Sequence, residues 1–315
     1  MKTLSIEGLN KRAKAKFLQD PLIEEMAKLD SPFAQKYDDT IHCSTILTKK
    51  GDKLIAKYCG HRWCRICNRN RTGKLLNGYS MVLDQMPEQE FVTLTIPNVT
   101  ADKLEMAIKG MIKNVKRIQD NRRKQKKPLI RGIRKLECTY NPKRNDYHPH
   151  FHFILDSKQT GNELIHEWLQ YYPDANILAQ DQTEAYSYKD LFKYFTKLTS
   201  NTGDEYRNGT KVKDEWAFPE ALDIIFRAIE KIRIIQPMGK IKMVSEKIKE
   251  YQSEVMDETL HDPKKLYDNF YLWMNDNWID PFTGEQISSF KPTKNLCAYR
   301  KKIRYLPNVS YIGTQ

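Results

Sequence analysis

Alternation of apolar and polar positions marks the first clear element. Phe91-Val92-Thr93-Leu94-Thr95-Ile96 is β-branched and aromatic, and Pro97-Asn98 closes it, so a strand and a turn are expected. The period then changes. Leu104, Ala107, Ile108, Met111, Ile112, Val115 and Ile118 recur at three- and four-residue steps, which predicts an amphipathic helix with one buried face. Residues 122–127 read as a basic loop, either solvated or in contact with phosphate. Ile130 to Tyr140 reads as a strand, and the turn-rich run Asn141 to Asp146 leads into a second strand ending in Phe153-Ile154-Leu155. The two are expected to form a hairpin.

Helices are predicted over Leu164–Tyr171, over Tyr188–Thr199 through Leu191, Phe195 and Leu198, and over Pro219–Ile235 through Leu222, Ile225, Phe226 and Ile229. Ser200 to Asp204 should end the second of these and open a polar loop. Near the N-terminus a short helix over Glu24–Leu29 is stopped by Asp30-Ser31-Pro32. Beyond residue 240 the chain reads as charged and helical, then irregular around Asp280 to Gly284. The centre is thus strand, helix, hairpin, helices, which predicts an α+β fold: a central antiparallel sheet with helices packed on it. Three regions follow: residues 1–75 with a Cys-rich segment, 76–240 as the main domain, and 241–315 as a mostly helical C-terminal region.

Charge narrows the function classes. The 315 residues hold 53 Lys+Arg against 40 Asp+Glu, a formal net charge of +13, which suits a polyanionic partner, nucleic acid first. No stretch approaches the ~20 apolar residues of a membrane span, and the N-terminus lacks the apolar core of a secretory signal. A cytoplasmic protein with no membrane partner is expected.

Two clusters carry chemistry. Cys59-x4-Cys64-x2-Cys67 supplies three thiolates of a tetrahedral zinc site, with Cys43 as the fourth ligand and His42 or His61 as substitutes. Such a zinc is structural and staples a small subdomain. Arg62, Arg65, Arg69 and Arg71 around it form a candidate DNA-contacting platform. The second cluster is His148-Pro149-His150-Phe151-His152, three of the seven histidines. On a strand, His150 and His152 share one face while Phe151 and Phe153 share the other. Two imidazoles need a further donor to hold a divalent ion. Glu137 on the partner strand and His148 are the candidates. A nucleophile is then needed. Asp190, Tyr194 and Lys197 lie at i, i+4 and i+7, one stripe of a helix, with Tyr186 and Tyr188 as rivals.

In their order these motifs resemble plasmid rolling-circle replication initiators of the HUH endonuclease superfamily, named for the His-hydrophobic-His pair. The residues that carry the resemblance are Phe91 to Thr95 with Asn98, Glu137-x-Thr139-Tyr140-Asn141, the histidine run, Asp190-x3-Tyr194-x2-Lys197, and the Cys-rich segment ahead of the first strand. The resemblance implies Mg²⁺ or Mn²⁺ at His150 and His152, and Tyr194 as the nucleophile that nicks and rejoins single-stranded DNA. It also implies that Asp190, where that branch often has Glu, assists hydrolysis at termination. The expected partners are an origin hairpin, single-stranded at the nick, with host helicase and polymerase. Alternatives are a relaxase or single-strand transposase of the same superfamily, or a non-catalytic zinc-containing DNA-binding regulator.

Overall fold

The computed structural model describes residues 3–50, 53–192, 198–207, 210–248, 251–256 and 270–306. The chain divides into two units: Met1–Arg71 together with Lys247–Gln315, and Thr72–Glu246. In chain order, unit one opens with β1 (Thr3–Leu4), α1 (Ile6–Ala27), α2 (Ala34–Ile41), β2 (Ile46–Lys50) and β3 (Lys53–Lys57). The boundary falls within α3 (Arg65–Asp84). Unit two continues with β4 (Glu90–Thr95), α4 (Leu104–Lys124), β5 (Gly132–Asn141), β6 (Asp146–Leu155), α5 (Lys158–Tyr171), β7 (Asp181–Glu184), α6 (Lys189–Phe192), β8 (Ser200–Arg207), β9 (Thr210–Trp216), α7 (Pro219–Ala228) and β10 (Ile235–Met238). The chain returns to unit one with β11 (Tyr251–Met256), β12 (Phe270–Met274), β13 (Asn277–Ile279) and α8 (Lys294–Arg300). Among the described residues no helix is long and apolar enough to cross a membrane.

Unit two holds the expected antiparallel sheet, in the order β10-β5-β6-β4-β7. The predicted hairpin is β5–β6, in unbroken register from Gly132↔Leu155 to Asn141↔Asp146. Its turn is set by Asn141, whose Oδ1 accepts hydrogen bonds from the amides of Lys143 and Arg144 at 3.0 and 3.3 Å. Phe151 and Phe153 are fully buried on the face away from the histidines. Trp168 of α5 packs against Phe151 and donates its indole N–H to the Thr95 carbonyl at 2.9 Å, locking that helix to β4.

Several expected elements differ. The short helix over Glu24–Leu29 is only the end of the 22-residue α1, capped by Ser5 and continuing through Pro21. Its buried stripe of Leu9, Ala13, Phe17 and Ile23 is interrupted by Lys16, which is fully buried because Asp20 (3.2 Å) and the Ile41 carbonyl (2.9 Å) accept its protons. The basic loop is displaced as well. Arg122, Arg123 and Lys124 form the last turn of α4, and Arg122 is buried, bonded to Glu167 and Glu163 at 2.8 Å each and to the Pro128 carbonyl at 3.0 Å. It is unavailable to phosphate. Arg122→Ala is expected to cost about 3 kcal/mol, because a buried, fully hydrogen-bonded charge pair is broken; a urea titration checks this, and an unchanged midpoint would show the pair to be inert.

The helix from Pro219 stops at Ala228, and Ile235–Met238 instead forms β10 on the edge of β5. The run Ile232-Arg233-Ile234-Ile235 fits either period, and strand pairing decides it. The polar loop expected from Ser200 is the hairpin β8–β9. The mostly helical region expected beyond residue 240 is corrected too. Among the described residues it holds three strands and one short helix, and those strands join β1, β2 and β3 in one sheet, ordered β1-β11-β3-β2-β12-β13. β11 pairs with β3 and β12 with β2, some 200 positions away, a signal no local period carries.

Candidate metal centres

In unit one, Cys43 follows α2, Cys59 follows β3, and Cys64 and Cys67 flank the start of α3. Sγ–Sγ distances are 3.5 Å for Cys43–Cys64, 3.6 Å for Cys43–Cys67 and 3.7 Å for Cys59–Cys67. Zinc–sulfur bonds of about 2.3 Å in tetrahedral geometry require sulfurs about 3.8 Å apart. The four thiols therefore already stand near the corners of such a site. Backbone amides support the sulfurs: Cys59 donates to Cys43 at 3.5 Å, Gly60 to Cys67 at 3.3 Å and Cys67 to Cys64 at 3.4 Å. Gly60 makes this turn at φ +72°, where a side chain would be strained. Burial pushes the Cys64 thiol up, while hydrogen bonds from the other three thiols draw Cys59 down.

His42 and His61 stand outside this group of four. His42 lies on the surface beside Asp38, and His61 stacks on Trp63 with ring centroids 4.8 Å apart. Of the proposed arginine platform, Arg71 must be withdrawn. It is buried, and donates to the Gly60 carbonyl at 2.7 Å and Asn68 Oδ1 at 2.5 Å, so it props the cysteine turn from inside. Arg69 is exposed, and Arg62 and Arg65 are half-buried.

The second centre is built by strand register. β6 runs between β5 and β4, which sets Glu137 opposite His150, Lys135 opposite His152, and Thr95 and Thr93 on the other flank. Glu137 Oε2 lies 3.5 Å from Nε2 of His150 and 3.5 Å from Nε2 of His152. The Nδ1 atoms are occupied elsewhere. His150 Nδ1 donates to the His148 carbonyl at 3.0 Å, and His152 Nδ1 meets Thr93 Oγ1 at 3.1 Å. A carbonyl can only accept, so Nδ1 of His150 carries a proton and Nε2 is the ring atom turned to the carboxylate. These three donors fit a divalent ion.

Burial would push Glu137 up, but both imidazoles and the Lys135 ammonium hold its carboxyl well below the usual range. Lys135 is only 2% exposed and ion-paired to Glu137 Oε1. Sequence reasoning passed it over, although a lysine two positions from the glutamate on the same strand face was visible. His148 is not in the donor group. It stacks on His150 at 5.1 Å, donates from Nδ1 to Asn98 Oδ1 at 2.9 Å, and is lowered to about 4 by burial and by His150.

The nucleophile stripe is described only at its start. Tyr194 and Lys197 lie outside the described residues, and Asp190 sits within the four-residue α6. The helix expected to reach Thr199 is not helical at Leu198 and Thr199. α6 packs against the histidine strand β6, with Leu191 and Phe192 buried. Of the rivals, Tyr188 donates its hydroxyl to Asp84 at 2.7 Å, and Tyr186 is 99% exposed.

The central strand of a five-stranded antiparallel sheet thus turns two histidines toward a carboxylate on its neighbour. Residues 53–162 match the family described as Replication protein. The match contains the cysteine turn, Glu137 and both histidines. Among similar proteins are three named Protein rep. That of Staphylococcus aureus is 36% identical over 126 residues, 36% of this chain and 54% of that protein. That of Bacillus sp is 28% identical over 147 residues, 42% and 48% of the two chains. That of Streptococcus pneumoniae serotype 2 (strain D39 / NCTC 7466) is 31% identical over 111 residues, 33% and 34%. The chain spans about half or less of the length of these curated relatives. No solved structure matches it.

Proposed function

We propose that this protein starts rolling-circle replication by nicking and rejoining single-stranded DNA at a plasmid or phage origin. The observation that carries the reading is the convergence of Glu137, His150 and His152 on one sheet face, within a stretch that matches replication proteins. When bound there, Mg²⁺ or Mn²⁺ supplies polarisation of a scissile phosphate oxygen. Tyr194 Oη attacks phosphorus in line. The bond to the 3′ oxygen breaks, leaving a 3′-OH for a polymerase and a 5′-phosphotyrosine on the chain. Lys197 stabilises the phenolate. After one round, either the new 3′-OH attacks the phosphotyrosine and closes the circle, or Asp190 takes a proton from the water that hydrolyses it. The four-cysteine zinc keeps unit one folded and takes no part in the chemistry.

The test is incubation with Mn²⁺ and supercoiled origin DNA, followed by a search for a nick with protein attached. His150→Ala and His152→Ala should each lower nicking by about 100-fold or more while DNA binding persists, because a lost ligand removes the charge that polarises the phosphate. Normal cleavage by both variants, with trace metal controlled, would overturn the site.

A further inference from the structure

Among the described residues, unit one builds its core on one face of its sheet. Leu47, Leu54, Ala56, Tyr271 and Trp278 join Leu9 and Ala13 of α1 in its core. The alternate positions make the opposite face, and they divide into an apolar patch around Phe270, Leu272, Ile46 and Ile55 and basic positions at Lys50, Lys53 and Lys57. Register sets Phe270 beside Thr48, Thr48 beside Ile55, and Leu272 beside Ile46. Phe270, Leu272 and Ile55 are half-buried, and Ile46 is 51% exposed. A solvated antiparallel face ordinarily alternates to polar residues.

At the rim stands Phe282, 83% exposed, its ring edge-on to Phe270 with centroids 5.7 Å apart. Its turn is well ordered. Asp280 Oδ1 accepts from the amides of Phe282 and Thr283 at 2.8 and 3.1 Å, and Gly284, at φ +74°, donates to the Asp280 carbonyl at 2.9 Å. The ring is therefore held out by a built turn. Beside the apolar patch, Lys50 and Lys53 are direct cross-strand neighbours, both exposed, and Lys57 is exposed on the same face. Like charges set opposite each other destabilise a strand pair, and an anion offsets that cost.

We propose that this face is a stacking platform for single-stranded DNA, distinct from the nuclease site. Bases stack on Phe282 and Phe270, and the backbone follows Lys50, Lys53 and Lys57. Duplex DNA offers phosphates but no free base faces, so it does not satisfy the rings. A second copy of the chain would bring lysine against lysine within a molecule of net charge +13. That the polymer is DNA rests on the replication reading; that it is single-stranded rests on this face.

The full chain, with no divalent ion added, is titrated against labelled oligothymidine by fluorescence anisotropy, and crosslinked to an iodouracil oligonucleotide for peptide mapping. Phe282→Ala, an exposed substitution, should weaken oligothymidine binding roughly tenfold and leave duplex binding unchanged. Lys50→Gln with Lys53→Gln should flatten the log-affinity against log-salt slope by about 1.4, at ~0.7 per phosphate contact. Crosslinks should map to peptides bearing Phe270 or Phe282. Wild-type affinity in the Phe282→Ala variant, with crosslinks confined to residues 72–246, would overturn the platform. So would a dimer that Phe282→Ala turns to monomer in sedimentation, since the occupant would then be a second copy. Nicking of a saturating origin oligonucleotide is scored separately: its absence in wild type sinks the nuclease reading and leaves the platform standing.

Discussion

Tyr194→Phe is expected to form no covalent protein–DNA adduct at all, while Asp190→Ala forms the adduct and fails to release it. The first outcome follows from removing the only atom that attacks phosphorus; a phenyl ring has no substitute for the hydroxyl. The second follows from the order of events. Attack needs a polarised phosphate and a phenolate, which the Glu137, His150 and His152 site and Lys197 supply. Release by water needs a base, and in the proposed mechanism Asp190 is that carboxylate. Adduct on a labelled origin oligonucleotide should therefore accumulate in Asp190→Ala beyond wild type. Trapping it and mapping the modified peptide by mass spectrometry checks both variants. A label on Tyr186 or Tyr188 would move the nucleophile. Adduct in Tyr194→Phe together with normal turnover in Asp190→Ala would reduce the stripe to an ordinary helix face.

The second large effect is on stability. Fresh, reduced protein is expected to hold about one zinc per chain, and Cys64→Ser should lose it and unfold unit one. Three of the four sulfurs belong to that unit's hydrophobic cluster, packed with Leu47, Tyr58 and Trp278. Structural zinc binding contributes about 10–16 kcal/mol in small zinc peptides. Even half of that rivals the ~5–15 kcal/mol by which a whole domain is stable. Without the ion, burial holds Cys64 as a thiol among closely packed sulfurs, and nothing replaces the lost bonds. Elemental analysis and the fluorescence of Trp63 and Trp278 report the result. Reduced protein that folds with no metal would sink the zinc assignment.

What the sequence exposed, and what it hid, follows from how local each signal is. The β5–β6 hairpin, α4 and β4 were legible because alternation and the three–four step lie within one element. Glu137 was legible because a carboxylate on an otherwise apolar and basic strand demands a partner. Lys135 was hidden, since its compensation comes from that same glutamate and is seen only once the strand is registered. α1 was hidden because Lys16, Gln19 and Asp20, polar by type, are buried in it. β12 was hidden because its partner, β2, lies at the other end of the chain, and β13 because it is only three residues long and pairs with β12 alone.

That last arrangement bears on synthesis. The β2–β3 hairpin leaves the ribosome early, yet both of its flanks wait for β11 and β12, some 200 residues later. At ~5–20 residues per second the delay is roughly 10–40 s. Unit two, contiguous in the chain, emerges complete within that interval. Unpaired strand edges invite pairing with other nascent chains, and lysine on an edge discourages it. Lys49, Lys50, Lys53 and Lys57 crowd this hairpin. Three of these lysines, Lys50, Lys53 and Lys57, are the ones proposed to follow a DNA backbone, and on the nascent chain they keep its youngest form apart from its neighbours.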